Sequence, residues 1–121
     1  MIRPVMARGR TATRVVGRMN KTEARFALTL EADKRRGEIA QWWFEPIKLR
    51  LADSTYYSPD FLILKPDGLL SFVEVKGFWR DDARVKIKVA AETYPCFPFY
   101  AATEKRGVWH IESFDRAGMP D

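Results

Sequence analysis

Asp60, Glu74 and Lys76 fall within one stretch, Tyr57 to Gly77, whose turn chemistry would bring them together. Phe61 to Leu64 and Leu69 to Val75 are rich in β-branched, aromatic and aliphatic residues and read as two strands. Between them, Lys65-Pro66-Asp67-Gly68 is a turn, with Pro suited to its second position and Gly to a positive φ. A type I turn closed by a left-handed Gly68 is the common three-residue hairpin loop, so Lys65 should pair with Leu69. Counting outward, Asp60 falls opposite Glu74, and Ser58 opposite Lys76. Directly opposed residues share a face, with Cβ atoms about 4.5–5.5 Å apart. The period of two puts Phe72, Glu74 and Lys76 on one side of the second strand, and Ser71, Val73 and Val75 on the other. Two carboxylates and an ammonium then converge among apolar strands, which costs free energy unless a cation offsets the negative charge. A hard divalent ion bound through oxygens does so, and the spacing predicts a Mg²⁺ site. The plainer alternative is a surface ion-pair cluster on a hairpin.

The elements that must position this hairpin can be read outward from it. Asn20-Lys21-Thr22-Glu23 has the form of a capping box, and Phe26, Ala27 and Leu30 follow at helical spacing until Gly37 ends the run. Glu23 has two readings. Its side chain caps the Asn20 amide, or it points along the face of Phe26 and Leu30 toward the sheet and adds a carboxylate to the metal site. From Ile39 to Leu51 two strands are predicted, Gln41 to Phe44 and Ile47 to Leu51, divided by Pro46. Trp42 and Trp43 are adjacent in a strand and face opposite ways, so one belongs to the core and at most one is free to stack on a base. Asp81 is a fitting N-cap for a helix to about Tyr94 that buries Val85, Val89 and Ala90. Arg80, Arg84 and Lys88 recur along it every fourth residue, either as a solvated face or as a row that holds a phosphate backbone. Phe97 to Ala102 and Val108 to Phe114 read as two further strands. The second of these carries His110, which as a lone histidine makes no zinc site. The order predicts a single α/β or α+β unit with a mixed sheet.

Length and charge narrow the class. A chain of 121 residues suits one domain, here a basic arm over 1–19, a folded unit over 20–114 and a tail over 115–121. Residues 1–22 hold six basic side chains (Arg3, Arg8, Arg10, Arg14, Arg18, Lys21) and no acid, so the whole +5 excess lies in the arm. Such an arm suits a phosphate backbone or an acidic membrane surface, and only nucleic acid agrees with the hairpin's chemistry. A solvated tail, or a transit peptide, matches its composition as well. Cys96 stands alone, which excludes an internal disulfide and makes a reduced cytoplasm the expectation. No run approaches the apolar length of a membrane span, and residues 1–19 lack the apolar core of a secretory signal.

Pro59-Asp60, a short gap and Glu74-Val75-Lys76 resemble the PD-(D/E)XK nuclease signature. The continuation Gly77-Phe78-Trp79-Arg80-Asp81-Asp82-Ala83-Arg84-Val85-Lys86 is similar to the phage endonuclease I family of Holliday junction resolvases and to related phage and prophage proteins. The resemblance runs from about Asn20 to about Thr103. It implies a restriction-endonuclease-like core and a Mg²⁺-dependent endonuclease acting on DNA, branched DNA in the resolvases, with Mn²⁺ able to substitute. It further implies metal binding by Asp60, Glu74 and the Val75 carbonyl, a glutamate on the first helix at the place of Glu23, and Lys76 as an orienting ammonium or a base. Homodimers are implied too. Glu45 stands near the position of another carboxylate in the family, although an exposed strand-end glutamate is the simpler reading. Arg8, Arg10, Arg14 and Arg18 join Arg80, Arg84 and Lys88 as expected DNA contacts. Intact Asp60, Glu74 and Lys76 argue against a module that only binds DNA, and leave open a nicking, restriction-like or repair enzyme.

Overall fold

The computed structural model describes residues 18–78 and 81–114, without the side chain of Asp81. The arm up to residue 17, the tail from 115, Trp79 and Arg80 lie outside the described residues, and so do the expectations that rest on them. These include Arg8, Arg10, Arg14 and Arg80 as DNA contacts and the cap of the second helix.

Helix α1 spans Lys21–Arg35 and starts where its capping box predicts. The Asn20 side chain accepts the Glu23 N–H at 2.8 Å, and the Glu23 carboxylate accepts the Asn20 N–H at 2.8 Å. It ends on Gly37 at φ +79, with the Gly37 and Glu38 amides donating back to the Lys34 and Asp33 carbonyls. That is the closed C-terminal motif a glycine in the left-handed region permits. After it come β1 (Gln41–Phe44), β2 (Leu49–Ala52), β3 (Thr55–Tyr57), β4 (Phe61–Leu64), β5 (Leu70–Lys76), α2 (Asp81–Thr93), β6 (Phe99–Lys105) and β7 (Val108–Ser113). Strand β3 is the one described element the sequence reading missed. Thr55-Tyr56-Tyr57 is too short to show a period on its own, and pairing with β2 makes it a strand.

The architecture is α+β with a mixed sheet. Its five strands run in the order β1-β4-β5-β6-β7, and β2-β3 form a second, two-stranded sheet. β1, β4 and β5 are antiparallel neighbours, β6 is parallel to β5 through α2, and β7 is antiparallel to β6. The two helices cover opposite faces. Phe26, Ala27 and Leu30 of α1 pack on Phe61, Ile63, Val73, Val75 and Ala102. Ile87, Ala90 and Ala91 of α2 pack on Phe72, Phe99 and Ala101, together with Leu49 and Tyr57 from the small sheet. Val85 and Val89, expected on the buried side, are instead 56% and 38% exposed. Both apolar stripes of α2 have helical spacing. The small sheet is laid against the one containing Ile87, Ala90, Ala91 and Tyr94, and this decides which is buried.

Phe61 is fully buried at the centre of the α1 face. Its ring centroid lies 5.4 Å from that of Phe26, 5.9 Å from Trp42 and 5.3 Å from Phe44. Loss of such an anchor costs about 3–5 kcal/mol, so the first residue of β4, which immediately follows Asp60, is among the most rigidly held in the chain. Trp42 is the core member of the tryptophan pair, with its indole N–H donating to Glu31 at 2.8 Å. Trp43 is half-buried. Among the described residues no helix is long and apolar enough to cross a membrane.

Candidate metal centre

The β4–β5 hairpin has the predicted register. Lys65 N–H donates to the Leu69 carbonyl at 2.9 Å, Gly68 N–H donates to the Lys65 carbonyl at 2.9 Å, and Gly68 takes φ +92. Phe61 pairs with Val73, so Asp60 and Glu74 are the next opposed residues. On the other flank Phe44 pairs with Phe61, and the Glu45 N–H continues that ladder by donating to the Asp60 carbonyl at 2.8 Å. Glu45, Asp60 and Glu74 therefore form one cross-strand row at the end of three adjacent strands. With neighbouring strands about 4.8 Å apart, the row brings three acids together across the end of the sheet.

The N-terminal turn of α1 closes on this row. One carboxylate oxygen each from Glu23, Glu45 and Asp60 lies within 4.8 Å of the others. The Glu23 side chain caps Asn20 and, at 3% exposed, also lies close to Asp60. Glu45 corrects the reading of an exposed strand-end residue. It is half-buried, and its backbone sits at φ 48, a left-handed conformation that costs a non-glycine residue roughly 1–2 kcal/mol. Pro46 disfavours the right-handed helical region for it. The turn of the chain at this point leaves the Glu45 carboxylate among the acids. What would have revealed its place is the pairing of β1 with β4, a long-range contact with no local signal.

Asp60 and Glu74 are 6% and 7% exposed. Asp60 Oδ2 accepts the Val75 N–H at 2.8 Å, so Val75 enters the site through its amide. One Glu74 oxygen accepts the Tyr57 hydroxyl at 2.7 Å and the other meets Lys76 Nζ at 3.1 Å. No buried side-chain nitrogen or oxygen among the described residues lacks a hydrogen-bond partner. Hydrogen bonding is thus satisfied, and what marks the site is the burial of its acids. Burial and then the charge of Glu74 push the Asp60 carboxyl up to about 9, Glu23 adds to this, and the Val75 N–H and Lys76 oppose it. Burial and the charge of Glu74 hold the Tyr57 hydroxyl well above its ordinary range, so it stays a donor.

Of the two roles expected of Lys76, its surroundings favour the ammonium over the base. Burial lowers its pKa, but Glu74, by charge and by hydrogen bond, with Asp60 and Glu23 behind it, moves the ammonium above its ordinary value. The cation is stabilised by the acids it faces.

The expected phosphate row on α2 is only partly available. Arg84 is engaged by Glu112, with Nη1 to Oε1 at 3.0 Å and Nη2 to Oε2 at 2.6 Å, and its Cζ lies 5.2 Å from the Phe114 ring centroid. Its guanidinium ties α2 to β7 through an exposed ion pair. Lys88 is exposed on α2, and Arg18 is half-buried just before α1.

The donor set fits a hard divalent cation. The donors are all carboxylate oxygens, the type such an ion takes, and one from each of Glu23, Glu45 and Asp60 lies within 4.8 Å of the others. Glu74 lies outside that trio, joined to it through Asp60 and held by Tyr57 and Lys76. No protein-family model, curated protein or solved structure matches the chain.

Proposed function

We propose that this protein is a Mg²⁺-dependent endonuclease of the PD-(D/E)XK type, hydrolysing phosphodiester bonds in DNA, with branched DNA as its preferred substrate. The reading rests on the cross-strand row of Glu45, Asp60 and Glu74 with Lys76 beside it, in which Asp60 and Glu74 are buried. Further support comes from Glu23, brought to that row by a helix on the opposite face from α2.

Glu23, Glu45 and Asp60 would hold the ion, and Glu74 and the Val75 carbonyl, which the resemblance implies as ligands, would approach it from the next strand. When bound, Mg²⁺, or Mn²⁺ in its place, supplies a polarised phosphate and a water of lowered pKa. The chain's own groups do the rest. Lys76, an ammonium fixed 3.1 Å from Glu74, is placed to donate to a non-bridging phosphate oxygen and to stabilise charge as a water oxygen bonds to phosphorus and an ester P–O bond breaks. Tyr57 fixes Glu74 from its other oxygen. The hairpin's ladder keeps both acids in register, so no reorganisation is needed as charge develops.

The test compares linear duplex, single-stranded, flap and four-way-junction DNA, with Mg²⁺ or chelator, for the wild-type protein, Asp60→Asn and Lys76→Ala. Metal-dependent cuts concentrated on the junction, lost by a factor of about 10²–10⁴ in either variant while DNA binding persists, are expected. Equal cutting of linear duplex would instead indicate a nicking, restriction-like or repair enzyme. Binding with no cutting under any condition would make the protein a DNA-binding accessory.

A further inference from the structure

Beside the acids, on the face of the sheet that carries Glu74 and Lys76, lies a second concavity. It has a volume of about 410 Å³, and its lining includes Phe78, Thr103, Lys105, His110, Ile111 and Glu112. We propose that it is a nucleotide subsite, which takes the base and phosphate next to the scissile phosphate of the same DNA strand. The inference rests on the nuclease reading above.

Register links the two sites. Lys76 pairs with Thr103 of β6, and Thr103 pairs with His110 of β7, so the three lie in one row and point the same way. At about 4.8 Å per strand, His110 stands roughly 10 Å from Lys76, within the span of two neighbouring nucleotides. The volume is that of a small-ligand pocket, and the lining has the parts a nucleotide needs. Phe78 is 73% exposed immediately after the catalytic strand, a large aromatic face with no burial to justify it. Stacking of a base on such a ring is tolerant of sequence. The side chains of Lys105 and His110 are exposed and make no ion pair or hydrogen bond with the described residues, which leaves their donors for a phosphate. The one acid in the lining, Glu112, would repel that phosphate, but Arg84 grips both its oxygens and cancels its charge. The Arg84 guanidinium thereby keeps this pocket open to an anion.

Binding is read by fluorescence anisotropy of a labelled four-way junction and a labelled single strand in Ca²⁺, and cleavage of the same DNA in Mg²⁺, for the wild-type protein, Phe78→Ala, Lys105→Ala and His110→Ala. All three positions are exposed, and circular dichroism confirms folding. Phe78→Ala is expected to weaken binding roughly 5- to 150-fold, the range of a lost base stack. Lys105→Ala should lower the slope of log affinity against log salt by about 0.7–0.9, the value of one phosphate contact. 2-Aminopurine placed beside the cleavage position should be quenched in the wild-type complex and bright in Phe78→Ala. If the wild-type protein cuts DNA and all three variants bind and cut as it does, the subsite is overturned while the nuclease reading stands. If the wild-type protein neither binds nor cuts, both fall together.

Discussion

Acids occur in two settings in this protein, and the contrast explains what each is for. On the surface Glu112 is gripped by Arg84, Glu104 by Arg25 at 2.8 Å, and Asp33 and Glu38 by Arg36. These are paired charges in water, each of small worth to stability. At the end of the β1–β4–β5 seam, Glu45, Asp60 and Glu74 are aligned by strand pairing with Glu23 above them. There the charges raise the energy of the fold, and Asp60 is pushed up to about 9 by burial and by Glu74. On the surface each of these acids meets an arginine in water, whereas at the seam Lys76 meets Glu74 and the acids are buried. The strained backbone of Glu45 adds to the cost at the same point.

The largest expected effect follows from the direction of the Asp60 shift. Between about pH 4 and about pH 9 the folded Asp60 retains a proton that the unfolded chain has released. Its contribution to stability is therefore full below its unfolded pKa and is lost as pH rises toward 9. In chelator, the wild-type protein should melt at a lower temperature at pH 8.5 than at pH 5. Asp60→Asn should flatten that slope and stabilise the protein at pH 8.5 by on the order of 3 kcal/mol. Mg²⁺ should raise the melting temperature of the wild-type protein and leave Asp60→Asn nearly unmoved. Identical pH slopes for both proteins would erase the distinction between seam and surface.

Tyr57→Phe sharpens the same contrast on a smaller scale. It removes the hydroxyl that donates to Glu74 at 2.7 Å without opening a cavity. A hydrogen bond to a charged, buried acceptor contributes about 1.5–3 kcal/mol, so denaturant unfolding should show a loss near the lower end. No loss would mean that Glu74 finds another donor.

The surface pairs should respond least. Arg84→Ala and Glu112→Gln should each change stability by less than about 1 kcal/mol, by less still in high salt. A double-mutant cycle between them checks this, with the Arg84 contact to Phe114 appearing as the part of the Arg84 effect that Glu112→Gln does not share. A salt-insensitive coupling above about 2 kcal/mol would place this pair with the seam.

Several features were legible in the residues because they depend on neighbours in the chain. Lys65-Pro66-Asp67-Gly68 sets the hairpin register through the dihedral preferences of Pro and Gly, and register sets Asp60 against Glu74. Asn20 and Glu23 cap each other within one helical turn. α2 shows the opposite case. Val85 and Val89 have the right spacing for a buried face, yet a partner that no local pattern announces chose the stripe of Ile87, Ala90 and Ala91.

By itself, then, the order of residues determined the two acids and the lysine of the hairpin, the helix before them and the mixed α+β class, since turn and capping preferences act over three or four positions. Only the tertiary structure decided that Glu45 joins Asp60, that Arg84 belongs to Glu112, and that Lys76 is held as an ammonium. Each of these depends on segments brought together from far apart along the chain, and on the burial and fields that exist only once they have met.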